Sequence, residues 1–418
     1  MKILVVGSGA REHAICWKLN QSNKLSKLYC APGNAGISQI AECVDIKADE
    51  LDKLVEYSVN NNIDLAVVGP EVPLVAGLVD MLNEKGIKAF GPVKAGAKFE
   101  GSKSYSKDFM KKYFIPSAQY EVYTDSKKAI DGLKKFNAPI VVKADGLAAG
   151  KGVLICETIK EAEEAIKSIM DNRQFGDAGN TVVIEEFLRG TETSLLCFVD
   201  GKRIIPMESA RDYKKAYDND RGLNTGGMGC FSPNPIYTEE LKKYIKDNIL
   251  DRTLNGFLSE NINFKGVLFI GLMIENNQAK VLEYNTRFGD PETEVILPRL
   301  KSDLVDIMLK CIEGNLSEDD LQWKDDKCVT VVLASGGYPE NYEKGKEVKG
   351  LNAADSDIII FHGGTKLSEG KTVTDGGRVL AITSTGSTIE EARNKVYKNI
   401  SKIHFEKMEF RKDIAVGQ

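Results

Sequence analysis

Lys143-Ala144-Asp145-Gly146-Leu147-Ala148-Ala149-Gly150-Lys151-Gly152 follows the apolar run Pro139 to Val142, so a lysine ends a strand and a glycine-rich loop leaves it. Glycines and small apolar residues leave backbone N–H groups free to approach phosphate oxygens, and Lys143 adds a point charge beside them. The segment is not the P-loop pattern GxxxxGK[ST], because Gly152 stands where a Ser or Thr would reach magnesium. An empty hairpin tip would explain the glycines but not the interleaved lysines. Around the loop, residues from Gln119 to about Leu188 read as a compact αβ block.

Toward the N-terminus, a lysine-rich helix through Lys103 to Tyr113 stops at Ile115-Pro116, since the residue before proline avoids the helical region. Before it, short β-branched runs (Lys2 to Val6, Lys27 to Cys30, Ile63 to Val68, Ile87 to Phe90) alternate with amphipathic stretches, the first a helix from about Glu12. This predicts βαβ units on a parallel sheet, with a boundary near residue 100. Gly7-Ser8-Gly9-Ala10-Arg11-Glu12 begins like a dinucleotide fingerprint, but Glu12 replaces its third glycine, and Ala31-Pro32-Gly33-Asn34 offers no acid for a ribose. What remains is a glycine turn at a helix N-terminus, which suits a phosphate, an NAD or no ligand. Gly33-Asn34-Ala35-Gly36 and Gly69-Pro70-Glu71 end the next two strands, on the edge where open α/β sheets bind ligands.

Toward the C-terminus, Glu185-Glu186-Phe187-Leu188 closes the run Val182 to Ile184, with Glu192 beyond it; alone, this segment could be a solvated strand end. Strand-like Ser194 to Val199 and Arg203 to Pro206, a polar loop at Asn224 to Gly229 and a long helix from Glu239 precede two more strands, Val267 to Ile274 and Lys280 to Tyr284. The densest cluster is Leu282-Glu283-Tyr284-Asn285-Thr286-Arg287-Phe288-Gly289-Asp290-Pro291-Glu292. In an extended segment alternate residues share a face, which groups Glu283, Asn285 and Arg287. A carboxylate and an amide oxygen suit a hard Mg²⁺, and Arg287 can grip a carboxylate or phosphate in two-pronged fashion. After a helix from Ser302, strands Cys328 to Ala334, Ile358 to His362 and Arg378 to Thr383 and a helix from Thr388 form a C-terminal domain.

At 418 residues with a formal charge of -5, the chain excludes a small stapled scaffold and shows no broad basic footprint for nucleic acid or anionic membrane. Its longest apolar run, Val267 to Ile274, falls far short of the roughly 20 residues of a membrane span. Met1-Lys2 leads straight into a strand, so the expected compartment is the cytoplasm. The 8 cysteines lie at irregular intervals without a CxxC pair and with only 3 histidines, which predicts reduced core residues rather than zinc ligands or disulfides.

Taken in chain order, the glycine turn, Lys103, Lys143 with its loop, Glu185 to Leu188 and Glu283-x-Asn285-x-Arg287 resemble the ATP-grasp ligases. Gly9 to Ala14, Ala31 to Gly36, Asn224 to Gly229, Arg287 to Thr293, Gly336 to Pro339, His362 to Thr365 and Gly376 to Leu380 are similar to the members that join glycine to 5-phosphoribosylamine, so the resemblance covers essentially the whole chain. It implies an α/β multidomain fold: a Rossmann-like parallel-sheet domain at 1–100, an ATP-grasp domain at 101–325 with a lid at about 119–190, and a small αβ domain at 326–418. It also implies ligation of glycine to 5-phosphoribosylamine in purine biosynthesis, through a glycyl phosphate, with ATP consumed and Mg²⁺ or Mn²⁺ required. Lys103, Lys143, Gly146, Gly150 and Gly152 would hold the ATP phosphates, Glu185, Glu186 and Leu188 would lie at the adenine, and Glu192 at the ribose. Glu283 and Asn285 would ligate the metal; Gly9, Arg11, Gly33, Asn34 and Gly36 would surround phosphoribosylamine; and Asp212 and Arg287 would take glycine, with Lys143 and these two as catalytic groups. Many members add a metal-binding carboxylate from the preceding strand; here Val267 to Ile274 has none and Glu275 sits at its end, which leaves the number of metal ions open. A monomer is expected, in passing contact with the enzyme that makes the unstable sugar amine. Three alternatives remain: a related ligase for another carboxylate and amine, an NAD-dependent dehydrogenase and a non-catalytic nucleotide sensor.

Overall fold

In the computed structural model, which describes residues 1–148 and 151–418, β1 (Lys2–Gly7) lies at the centre of a five-stranded parallel sheet. It is flanked by β2 (Lys27–Pro32) and β4 (Leu65–Val68), with β3 (Glu42–Cys43) and β5 (Lys88–Phe90) at the edges. Ile3, Leu4, Val5 and Val6 are all fully buried, as a strand covered on both faces requires. Ile3 and Val5 pack toward α1 (Ala10–Leu19), while Leu4 and Val6 pack toward α2 (Leu51–Asn60), α3 (Glu71–Ala76) and α4 (Leu78–Glu84). The strand order 3-2-1-4-5 makes the β1/β4 crevice the topological switch point, where ligands of such sheets bind.

After α5 (Lys94–Gly101) and α6 (Lys103–Lys112), the chain builds a separate four-stranded antiparallel sheet. Its strands are β6 (Tyr120–Tyr123), β7 (Ile140–Ala144), β8 (Val153–Cys156) and β9 (Val182–Glu186), in the order 6-9-7-8. With α7 (Ser126–Gly132) and α8 (Ile159–Ile166) it encloses its own core of Ile140, Val142, Ile166, Ile169, Val182 and Ile184. β10 (Thr191–Asp200) and β11 (Ile204–Pro206) then open a larger sheet, and β12 (Arg211–Asp212), the hairpin β13 (Lys215–Tyr217)–β14 (Arg221–Asn224) and β15 (Gly229–Ser232) follow. The long helix expected from Glu239 runs unbroken through α9 (Glu239–Ile245), the π-helical turn Lys246–Leu250 and α10 (Asp251–Ser259). β16 (Lys265–Glu275) and β17 (Gln278–Asn285) complete the larger sheet in the order 11-10-16-17. The apolar run in β16 is explained by burial on both sides: Val267 and Phe269 join one core, and Leu268, Ile270, Leu272 and Ile274 another.

Beyond α11 (Thr293–Ile296) and α12 (Leu304–Glu313) come β18 (Lys327–Ser335), β19 (Ile358–His362), the hairpin β20 (Thr365–Ser368)–β21 (Lys371–Thr374), β22 (Arg378–Gly386), α13 (Ile389–Ile400) and β23 (Met408–Glu409). Their sheet runs 12-15-18-22-19, with β23 beside β18, so two strands from before residue 326 are part of it. One apolar cluster joins β1, α1, β10, β16, α12, β18 and β19. No helix of the described residues is long and apolar enough to cross a membrane.

Candidate active site

The glycine-rich loop is tied to the start of α6 through Asp145. Its Oδ1 accepts from Ser104 N–H at 2.5 Å and its Oδ2 from the Ser102 hydroxyl at 3.1 Å, while Ser102 caps the helix by accepting from Tyr105 N–H. The carboxylate thereby satisfies donors that the helix terminus leaves free. Lys103, the first residue of α6, points back at the loop and donates to the Gly146 carbonyl at 3.1 Å. A Cβ at Gly146 would press on Ala178, so that glycine serves the loop's own packing; Gly152 likewise closes on Ala148 and Ala144, and Gly150 lies outside the described residues.

Lys143 leaves the end of β7 nearly buried, its Nζ 2.9 Å from Glu185 Oε1 and donating to the Leu282 carbonyl at 3.3 Å. Glu185 is only 2% exposed, so the strand-end carboxylates are not both solvated. Its Oε2 lies 2.9 Å from Nζ of Lys107, one turn along α6 from Lys103 and itself 2% exposed. Glu186 faces outward, accepting from Gln119 N–H and pairing with Lys280, and Leu188 is buried.

Glu283 and Asn285 share a face, with Asn285 Nδ2 donating to Glu283 Oε1 at 3.4 Å. The cause differs from simple alternation. Ala279 and Val281 point into the core, and strict alternation would send Glu283 after them; a β-bulge at Leu282 shifts the phase, so that Tyr284 takes the core position and donates to or accepts from Thr253 at 2.7 Å. Burial alone would raise the Glu283 carboxyl, but Lys214, Lys143 and Lys103 more than offset it and hold the group below the ordinary carboxylate range. An ionised carboxylate beside an amide oxygen fits a hard divalent cation whose other ligands are phosphates and waters. Among the described residues no cluster of three His, Cys, Asp or Glu side chains supplies a fuller cage, and Glu275 lies exposed at the far end of β16.

The strand ends at Asn285, so the expected grouping does not extend to Arg287 by alternation. The Arg287 guanidinium reaches Glu100 Oε1 at 3.0 Å and Glu71 Oε2 at 3.5 Å, on α5 and α3, while Thr286 N–H donates to Glu100 Oε2 at 2.7 Å. Asp212 lies across the cleft: burial first, then Glu292 and Glu192, push its carboxyl up to about 8 against the pull of Lys214. Lys214 pairs with Glu192, the expected ribose ligand.

In the N-terminal sheet, the Glu12 carboxylate fills the switch-point crevice, accepting from Gly9 N–H at 2.7 Å and from Arg11 Nε at 2.5 Å. Gly7 adopts φ +128°, and a Cβ there or at Gly69 would collide with Glu12. Glu12 therefore takes up the space that a third glycine of a dinucleotide fingerprint would leave open. Asn34 is also engaged: its amide donates to the Ser8 and His362 carbonyls, and its Oδ1 accepts from Gly36 and Ile37 N–H. Gly33 packs on Cys43, and Gly36 on His13 and His362. Beside them a cavity of about 220 Å³ is lined by Ser8, Gly9, Ala10, Asp290, Gly364 and Arg378. Arg378 is 2.9 Å from Asp290 Oδ1 and donates to the Gly226 carbonyl at 2.8 Å.

The structure thus gathers Lys103, Lys143, Glu185, Glu283 and Asn285 with Asp212 and Glu192, and sets Gly9 on the wall of a second hollow, while Arg11 turns to Glu12 and Phe288 and Asn34 to Ser8 and His362. Lys107, Lys214 and Glu100 are not singled out by the sequence pattern, and Glu71 and Asp290 stand in it only as parts of longer motifs. For Lys107 a signal existed, since it follows Lys103 by four residues on one helix.

Residues 1–100, 101–293 and 328–417 match, in turn, the N domain, the ATP-grasp (A) domain and the C domain of phosphoribosylglycinamide synthetase. The phosphoribosylamine–glycine ligase of Clostridium acetobutylicum is 49% identical over 99% of both chains, and that of Escherichia coli 43% identical over 99% of this chain and 98% of its own. The crystal structure of the Thermotoga maritima phosphoribosylamine–glycine ligase superimposes with a TM-score of 0.88 at 37% identity, over 99% of this chain and 100% of that one. A biotin carboxylase from Campylobacter jejuni, at 14% identity and TM-score 0.78 over 98% of this chain and 92% of that one, shares the fold alone.

Proposed function

The chain belongs to the phosphoribosylglycinamide synthetase family and is an ATP-dependent, ADP-forming ligase of purine biosynthesis, and we propose that the cleft between β7, α6 and β17 is where it activates glycine. The observation that carries this reading is the meeting of Lys103, which donates to the glycine loop, with Lys143, which reaches Glu185 and the Leu282 carbonyl beside Glu283 and Asn285. Lys103 and Lys143 take the ATP phosphates, the backbone at Glu186 to Leu188 reads the adenine, and Glu192 takes the ribose. Glu283 and Asn285 hold Mg²⁺, which neutralises phosphate charge when bound. The hard oxygen donors favour Mg²⁺ and also admit Mn²⁺.

A glycine carboxylate oxygen attacks the γ-phosphorus and ADP leaves. The amine of phosphoribosylamine then attacks the acyl carbon of glycyl phosphate, inorganic phosphate leaves, and the amine proton departs. Arg287 orients the glycine carboxylate, with Glu71 and Glu100 fixing its guanidinium, and Asp212 faces the ammonium end. Positioning and charge neutralisation carry such a reaction, so no covalent nucleophile on the protein is needed. The acyl phosphate must be kept from water, a task for the lid at about 119–190, which has its own core. In the second hollow, the N-terminal end of α1 at Ala10 and the Arg378 guanidinium suit a sugar phosphate. The division 1–100, 101–325 and 326–418 is part of this reading, as is a reducing cytoplasmic setting, which suits eight free thiols.

A coupled assay of ADP release tests the assignment when ATP, glycine and phosphoribosylamine are omitted in turn. ADP is expected only with all three; ADP formed with another carboxylate or amine in place of one of them would point to a different ligase.

A further inference from the structure

We propose that Lys107 is a positioning residue for ATP: it shares the Glu185 carboxylate with Lys143, so that Lys143 is free to move to the triphosphate when nucleotide binds. The geometry is a three-member chain in a nearly dry setting. Glu185 Oε1 and Oε2 lie 2.9 Å from Lys143 Nζ and Lys107 Nζ, and these three side chains are 2%, 7% and 3% exposed in the order Glu185, Lys143, Lys107. Lys107 Nζ has no well-directed hydrogen bond of its own, and nothing else in the described structure pairs with it, so its ammonium is present for Glu185 alone. Lys143 by contrast has a second tie, to the Leu282 carbonyl beside Glu283, and so has a partner besides Glu185.

The consequence is a matter of which charge is left behind. With Glu185 paired only to Lys143, moving Lys143 to a phosphate would strand a buried carboxylate, which is strongly unfavourable. With Lys107 in place the carboxylate keeps a counter-charge throughout, and the transfer exchanges one anionic partner for another. Lys107 then acts through Lys143 and touches no substrate atom. The reach of α6 makes this arrangement natural: Lys103 and Lys107 are one turn apart and both face the cleft, Lys103 toward the loop and Lys107 toward β9.

This proposal rests on the reading that Lys143 grips the ATP phosphates, and the test separates the two. ADP binding is measured by calorimetry, and kcat and KM for ATP by the coupled assay, in Lys107→Gln, Lys107→Arg, Lys143→Gln and the Lys107→Gln/Lys143→Gln double variant. Lys107→Met, of similar length without the charge, stands in if the glutamine variant does not fold. The expected result is that Lys107→Gln weakens ADP and raises KM for ATP by about tenfold or more while kcat changes by less than about threefold, that Lys107→Arg restores most of the loss, and that Lys107→Gln adds nothing once Lys143 is replaced. A normal loss in Lys143→Gln with a fully additive Lys107→Gln effect, or an unchanged KM in Lys107→Gln, overturns the proposal alone. Unchanged ADP affinity in Lys143→Gln overturns the phosphate role of Lys143, and the proposal with it.

Discussion

Three lysines hold Glu283 in its charged form where burial would neutralise it. Replacing Glu283 with Gln removes one formal charge from a site suited to a hard cation, and the Mg²⁺ concentration for half-maximal activity should rise by about tenfold or more. Glu157→Gln, at an exposed position on the lid, should leave the Mg²⁺ titration unchanged. Identical curves for the two variants would reduce Glu283 to a strand-end carboxylate. At this scale the sequence was informative where chemistry and spacing coincide: Lys143 beside a glycine loop and Glu283 two residues from Asn285 stand out by residue type. Lys107 and Lys214 do not, since a lysine in a lysine-rich helix or a polar loop is usually a solvated charge. Only the fold shows that Lys107 is buried against Glu185 and that Lys214 pairs with Glu192.

Between the side chain and the domain, two local devices aim the catalytic groups. The bulge at Leu282 turns the end of β17 so that Glu283 and Asn285 leave the core face. Period-two reasoning did group this pair correctly, but it could not foresee the bulge, which shows only in the register against Gly271 and Leu272 across the β16–β17 hairpin. The second device is Asp145, which locks the glycine loop to the N-terminus of α6. Asp145→Ala should cost about 1 kcal/mol of stability, as the loss of a helix-capping carboxylate does, and should also raise KM for ATP because Lys103 loses its fixed approach to the loop. Denaturant unfolding and ATP titration measure the two effects; a stability loss with an unchanged KM would mean that the cap does not serve the site. Strand and helix order was largely legible from hydrophobic patterning. The π-helical turn at Lys246–Leu250 and the recruitment of β12 and β15 into the C-terminal sheet were not, since no pattern of residue types marks either one.

For the molecule as a whole, the N-terminal sheet is pinned to the C-terminal sheet by a pair of histidines. His362 N–H donates to His13 Nδ1 at 2.8 Å, so His13 must be neutral there, and the Asn34 amide donates to the His362 carbonyl at 2.7 Å. Burial lowers His13 to about 3, with His362 adding to the effect, and lowers His362 to about 4, both from an ordinary value of 6.5. The unfolded chain therefore takes up these protons as pH falls below about 6.5 while the folded chain does not, and stability drains away between there and about pH 4 at up to about 1.4 kcal/mol per pH unit for each proton. Denaturant unfolding across that range should show a shallower acid limb in His13→Gln/His362→Gln than in the parent; equal slopes would remove the pair from the account. Sequence alone singled out neither histidine as a contact, because residues 13 and 362 meet only when the two outer domains do. That meeting also brings Arg378 to the hollow beside the glycine turn, and the proposal places glycine and ATP in the central cleft. The most direct test of that chemistry is isotopic: one turnover with glycine carrying ¹⁸O in its carboxylate. A carboxylate that attacks the γ-phosphorus leaves one of its oxygens there, so mass spectrometry should find inorganic phosphate with a single ¹⁸O, whereas unlabelled phosphate accompanying glycinamide ribonucleotide would contradict activation of glycine as an acyl phosphate in this cleft.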